Sequence, residues 1–156
     1  SEGTIFFYLI IYLITIFGIF TVILNLRSSE GELTKISELN GLRFSSRSKS
    51  IAMLVFLFSL AGIPPFAGFF AKFFILSASI NEGLYVLSII AVISSVIAAF
   101  YYLSVIKNMF FNNKEEELLL DNNKIGSVVF ISSALILTLF FFYPDPLINL
   151  VDGLFS

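Results

Sequence analysis

The chain has 156 residues, 58% of them hydrophobic, and a mean hydropathy of +0.98, a membrane composition that excludes an ordinary soluble domain. Cysteine and histidine are both absent, which excludes disulfides, thiolate metal sites and iron–sulfur clusters and removes the usual haem and zinc ligands. A net charge of −2 carries no signal for a nucleic-acid partner, and 20 Phe with no Trp is the usage of an AT-rich organellar or bacterial genome, a pointer to mitochondrial coding.

Residues 5–26 form an uncharged stretch of 22 positions, and about 20 suffice for a transmembrane helix. The following polar loop runs from Arg27 to Ser50. Within it Leu33, Ile36, Leu39 and Leu42 recur every third residue, Ser29 with Glu32 has the form of a capping box, and Asn40-Gly41 has the form of a stop. A short amphipathic helix on the membrane surface and an irregular loop both fit.

The apolar segment 51–80 holds 30 residues, about ten more than a span requires at about 1.5 Å of rise per residue. Pro64 and Pro65 stand in its middle, flanked by Gly62 and Gly68. Proline removes a backbone donor and clashes with the preceding turn. The second span is therefore expected to be broken near 62–65. Backbone freed at membrane depth is tolerated only inside protein or beside water, so the break implies neighbours and a hydrated cavity. Lys72 follows, the only charge of the segment. A lysine at such depth costs about 2.5–3.5 kcal/mol on insertion scales. It either pairs for packing or serves as a proton or ion site, for which an amine able to release its proton on burial is suited.

Asn81-Glu82-Gly83 is a turn short enough to set the second and third spans antiparallel. The third covers 84–106. Its Ser88, Ser95 and Tyr102 lie seven residues apart, with Ala91, Ala98 and Ala99 nearby. Small and polar residues at this spacing pack helix against helix in membranes; alternatively Ser95, Tyr101 and Tyr102 line a hydrated route beside Lys72. A charged loop, 112–124, leads to a fourth span at 125–143, stopped by Pro144 and Pro146. The tail, with Leu147, Ile148, Val151, Leu154 and Phe155, is expected along the interface. The whole reads as a single all-α membrane domain, 1–156, with four transmembrane helices, the second discontinuous. No cleavable leader is expected, and the initial Ser1 suggests a trimmed chain or a fragment.

Arg27, Lys35, Arg43, Arg47, Lys49, Lys107, Lys114 and Lys124 all fall on one side of these spans, while the other carries only Glu2, Glu82, Asp145 and Asp152. The positive-inside rule places the basic loops in the matrix or cytoplasm and both termini opposite. All 11 acids lie in loops or tails, so Lys72 is expected to be the only buried charge and to lack an intramembrane carboxylate from this chain. A proton relay needs several ionisable groups in series, so this chain alone is not expected to pump.

The stretch GIPPFAGFFAKF resembles the signature of the chain 2 family of respiratory complex I, NADH:ubiquinone oxidoreductase. The likeness extends upstream through RSKSIAMLVFLFSLAGIPP and downstream through SVIAAFYYLSVIKNMFF, from Ile5 to Phe111. The resemblance implies the C-terminal four-helix part of an antiporter-like fold of inverted repeats, about fourteen helices in full, with paired broken helices. It implies that Lys72 is the lysine of a proton path, with Gly62, Pro64, Pro65 and Gly68 forming the break and the FYYL stretch supplying a tyrosine patch at Tyr101 and Tyr102. Phe100 departs from the tyrosine often seen first in that patch. The implied function is a proton-translocating subunit of the membrane arm, coupling NADH oxidation and quinone reduction to pumping, with no redox centre, cofactor or metal in this chain. Implied partners are membrane lipid and other membrane-arm subunits, among them a chain supplying the upstream helices with their buried glutamate and lysines; the gene is then split or the sequence a fragment. The implied setting is the mitochondrial inner membrane or, alternatively, a bacterial plasma membrane. A subunit of a cation/proton antiporter of the same superfamily and a non-pumping structural subunit are the competing functions.

Overall fold

The computed structural model describes residues 2–28, 31–114, 118–121, 123–140 and 142–155. Its long elements are α1 (Glu2–Leu24), α3 (Arg47–Ala61), α4 (Ala67–Asn81), α5 (Tyr85–Phe111) and α6 (Lys124–Leu139). A short α2 (Leu42–Ser45) precedes α3, and α7 (Asp145–Phe155) follows α6. The tail is thus helical; the side chains of Leu147, Val151 and Phe155 lie outside the described residues. α1 and α5 are each long and apolar enough to cross a membrane, while α4 and α6 are shorter apolar helices. α5 extends five residues past 106 and α6 stops four short of 143.

α1 lies at the centre, packed against α3, α4 and α6, while α5 rests on α3 and α4. The core between them is built on Phe56, Phe130, Ile11, Met53 and Leu137, none more than 2% exposed. Phe7 joins α4 and the end of α6 through ring contacts with Phe74 and Phe140 at 5.8 and 5.4 Å. The outer side of α5 is bare: Val86, Ile89, Ile93, Val96, Phe100 and Tyr101 are all more than half exposed. An apolar helix uncovered over that length is compatible with lipid or other helices around it, not with water.

The two basic loops meet at one end of the bundle. β1 (Leu26–Ser28) pairs antiparallel with β2 (Gly31–Glu32) and with β3 (Leu119–Leu120), in the order β2-β1-β3. The Gly41 N–H donates to Asn108 O at 3.0 Å and the Asp121 N–H to Asn25 O at 3.1 Å. The β1–β3 pairing joins the two loops directly, while the Gly41 bond holds the first loop to the last turn of α5 and the Asp121 bond holds the second to the end of α1.

Two sequence expectations are corrected here. The helix suggested by Leu33, Ile36, Leu39 and Leu42 is only a 3-10 turn, Ile36–Leu39, before α2. Glu32 lies in β2, so it caps no helix; Ser29 lies outside the described residues. The cap falls later, where the Glu38 carboxylate accepts the Lys35 and Thr34 N–H groups at 2.8 and 2.7 Å, bonds that hold its carboxyl below the usual range. Second, Lys72 is not the only buried charge. Ser46 caps α3 by accepting the Lys49 N–H at 3.4 Å, so the helix starts before the apolar run. Lys49 is thereby carried inward on the first turn to 4% exposure, with its Nζ 6.0 Å from the Phe130 ring centroid, a distance at which a cation and an aromatic face attract. Lys72 itself is half-buried.

Candidate functional site

The site forms where α3 ends and α4 begins. In a continued helix the carbonyls of Leu60 and Ala61 would be paired by the residues four places on. Those residues are Pro64 and Pro65, which have no N–H. The chain turns instead at Gly62, which takes φ +75°, a left-handed conformation that glycine adopts without a Cβ penalty. The Ile63 N–H then donates to Phe58 O at 3.0 Å and the Gly62 N–H to Ser59 O at 3.1 Å, the bond pattern that closes many helices on a glycine. The peptide joining Pro64 to Pro65 is cis.

This closure leaves the Leu60 and Ala61 carbonyls without a helical donor, and Lys72 takes the first. The Lys72 ammonium donates to Leu60 O at 2.6 Å from the second turn of α4. A cation at the carboxyl end of a helix is also favoured by the helix dipole. The amino end of α4 is capped in return. Phe66, at its N-cap, has no side-chain acceptor, and the Gly68 N–H donates instead to the Ser59 hydroxyl at 3.0 Å. Each half-helix therefore satisfies the other's orphaned backbone: Ser59 of α3 caps α4, and Lys72 of α4 caps α3. The two glycines permit the approach. A Cβ on Gly68 would overlap the Ser59 carbonyl, and one on Gly62 would stand 3.1 Å from Lys72 Cδ.

A cleft of about 210 Å³ opens at Lys72. From α1 it is lined by Tyr8, Tyr12 and Thr15; from α3 by Ser59; from α5 by Ser94, Ser95 and Tyr102. At about 30 Å³ per molecule it has room for several waters. A second space of about 240 Å³ lies between α4 and α5, where Lys72 and Ser95 are the polar lining among apolar neighbours such as Phe73, Val92 and Val96. Lys72 and Ser95 thus border both spaces. The Tyr8 and Tyr12 rings stack at 6.4 Å, and Thr15 Oγ1 donates to Ile11 O at 2.7 Å.

The residues picked out by sequence are distributed as follows. Gly62, Gly68 and Lys72 converge, with Pro64 and Pro65 in the connection between them. Ser95 and Tyr102 line the cleft, while Tyr101 is 65% exposed and lies against Phe100 at 5.8 Å. Successive helix residues are set about 100° apart, so adjacent tyrosines cannot share one face. Sequence reasoning missed Ser59, Ser94, Tyr8, Tyr12 and Thr15. A signal existed on α1: hydroxyls at i, i+4 and i+7 on an otherwise apolar helix mark one face. Ser59 had none, because its role depends on α4 folding back to it. Chemically, the arrangement holds a protonatable amine on a carbonyl, beside a space where hydroxyls and water can pass a proton.

Residues 1–98 match the family model described as NADH:quinone oxidoreductase/Mrp antiporter, TM. The chain is 47% identical over 90 residues to NADH-quinone oxidoreductase subunit N of Rhodospirillum rubrum, covering 58% of this chain and 18% of that protein. It is 43% identical over 90 residues to subunit N of Hirschia baltica, covering 58% of this chain and 19% of that one. It therefore spans about a fifth of the length of the curated relatives it matches. Among solved structures, respiratory complex I from Thermus thermophilus with bound aureothin superposes with a TM-score of 0.83 over 96% of this chain and 34% of that chain, at 23% identity, a likeness of fold. The chain belongs to the NADH:quinone oxidoreductase/Mrp antiporter family of membrane proteins.

Proposed function

We propose that this chain is the C-terminal four-helix part of an antiporter-like subunit in the membrane arm of respiratory complex I, and that Lys72 is a protonatable station on its proton path. The carrying observation is the Lys72 bond to the Leu60 carbonyl, at the mouth of a hydroxyl-lined cleft. Protonated, the amine is held by a carbonyl that Pro64 leaves without a donor. Deprotonated, it exchanges with water and the Tyr8, Ser95 and Tyr102 hydroxyls. No flavin, cluster or quinone contact is assigned to this chain, and the redox chemistry acts on it through neighbouring helices. The relatives reported above are subunits of an NADH-quinone oxidoreductase, which favours this reading over a free-standing cation/proton antiporter, the other activity in the family's description. They are also bacterial, which fits a bacterial plasma membrane; the residue usage that suggested a mitochondrial inner membrane is a weaker guide. The uncovered side of α5 is where further helices of the fold would pack, contributed by a preceding part of the same polypeptide or by a separate subunit.

The proposed topology crosses the bilayer four times: α1, then α3 and α4 in series as one discontinuous span, then α5, then α6. With Arg27, Arg43, Arg47, Lys107 and Lys124 at one end, that end faces the cytoplasm or matrix. A cysteine placed at Lys114 is expected to resist an impermeant thiol reagent from the outside of sealed vesicles, whereas one at Gly83 is expected to react. The reverse labelling would invert the topology. Proton pumping per NADH oxidised, measured with Lys72→Met in the assembled complex, tests the function itself.

A further inference from the structure

A separate site lies at the basic end of the bundle, remote in the chain from the break. A cleft of about 390 Å³ is lined by Arg43, Phe44, Arg47, Ser50, Ile51 and Phe110. It sits where α2 meets the first turn of α3 and the last turn of α5. Arg43 and Arg47 are both exposed, and none of the six lining residues is acidic. The Arg43 guanidinium lies over the Phe44 ring, 4.3 Å from its centroid. A guanidinium over an aromatic ring keeps N–H groups free for a bidentate oxygen acceptor. Arg47 is the first residue of α3, so the positive end of that helix points the same way.

Apart from Ser50, which is buried with its hydroxyl donating to Arg47 O at 2.8 Å, the rest of the cleft is apolar. Phe44 is 60% and Ile51 49% exposed, and Phe110 is half-buried. Two exposed cations beside exposed aromatic and aliphatic side chains, at one end of a bundle of apolar helices, match a ligand with an anionic head and acyl tails. A soluble phosphate would use the arginines and leave Phe44 and Ile51 in water. Basic pockets between helices on the cytoplasmic side are suited to phospholipid head groups. We infer that the Arg43–Arg47 cleft binds an anionic phospholipid, its phosphodiester between the two guanidiniums and an acyl chain along Ile51 and Phe110.

The inference stands apart from the proton path, since none of these residues borders Lys72. It is tested by native mass spectrometry of the intact membrane complex in mild detergent, titrated with phosphatidylglycerol, with phosphatidylcholine and with inorganic phosphate. Wild type is expected to bind phosphatidylglycerol about thirtyfold more tightly than phosphatidylcholine. Arg43→Gln with Arg47→Gln is expected to erase that preference, and Arg43→Lys with Arg47→Lys to keep part of it, while both double variants pump as wild type does. Equal phosphatidylglycerol affinity in wild type and the double Gln variant overturns the site. Displacement of the lipid by inorganic phosphate at equal concentration overturns the lipid reading in favour of a free anion.

Discussion

Lys72→Met in the assembled complex is expected to lower proton pumping by about 10²-fold or more, the scale on which removing a positioned proton carrier acts. Methionine keeps the length and apolar bulk of the lysine stem but cannot hold a proton. The same change removes the donor to Leu60 O, whose only paired alternative, a backbone N–H four residues on, is absent at Pro64. Leaving a buried carbonyl unpaired costs roughly 1–3 kcal/mol, and here water from the adjoining cleft can offset part of it. Assembly should therefore survive, and a stability assay run beside the pumping assay separates the two effects. Lys72→Arg keeps a cation for the Leu60 carbonyl but hardly releases its proton. It is expected to assemble normally and also to pump poorly, with Met worse if the charge itself transmits coupling. If Lys72→Met pumps at the wild-type ratio and rate, Lys72 only caps α3 and the proton-path reading is wrong.

The break shows how far a sequence can be read at such a site. Two prolines, an over-long apolar run and one charge were local facts, and they placed the interruption and its lysine. Which carbonyl the lysine would take was also implicit, since Leu60 stands four residues before Pro64. Yet a helix can end in several ways, and the Gly62 turn, which uses the Phe58 and Ser59 carbonyls, leaves both Leu60 and Ala61; only the folding back of α4 brings Lys72 to Leu60. Ser59 was beyond reach: a serine in an apolar helix usually bonds its own preceding turn, and its bond to Gly68 exists only because the chain reverses between them. Lys49 was misplaced for a different reason. Its neighbours in sequence are polar and predict a loop, whereas the Ser46 cap begins the helix early and Phe130 of α6 supplies the surface it lies on. At 33–42, where a surface helix and an irregular loop both fit the sequence, the structure has a 3-10 turn between irregular residues, because a three-residue apolar spacing serves a 3-10 turn as well as an α-helix.

Gly68→Ala is expected to be the most damaging of the glycine-to-alanine changes among the glycines whose surroundings are described. The added Cβ would fall on the Ser59 carbonyl, which is backbone and cannot rotate aside as a side chain could. Relief requires α4 to move away from α3, a kind of overpacking that costs about 1–3 kcal/mol. The same movement lengthens the Gly68 N–H bond to the Ser59 hydroxyl, a cap contributing about 1 kcal/mol. Lys72 stands one turn further along the same face of α4, so its bond to Leu60 O is carried away too. Stability and pumping are thus predicted to fall together, unlike Lys72→Met, where pumping falls first. Ser59→Ala deletes the cap without the clash and should cost only about 1 kcal/mol. Gly153→Ala serves as the control, because no described residue lies within 4 Å of a Cβ there and α7 is already helical; it should leave the complex unchanged or slightly more stable. The thermal midpoint and yield of the intact complex give the comparison. A Gly68→Ala complex as stable as Gly153→Ala would mean that α3 and α4 are not held at the distance described, and the reciprocal capping of the two half-helices would have to be abandoned.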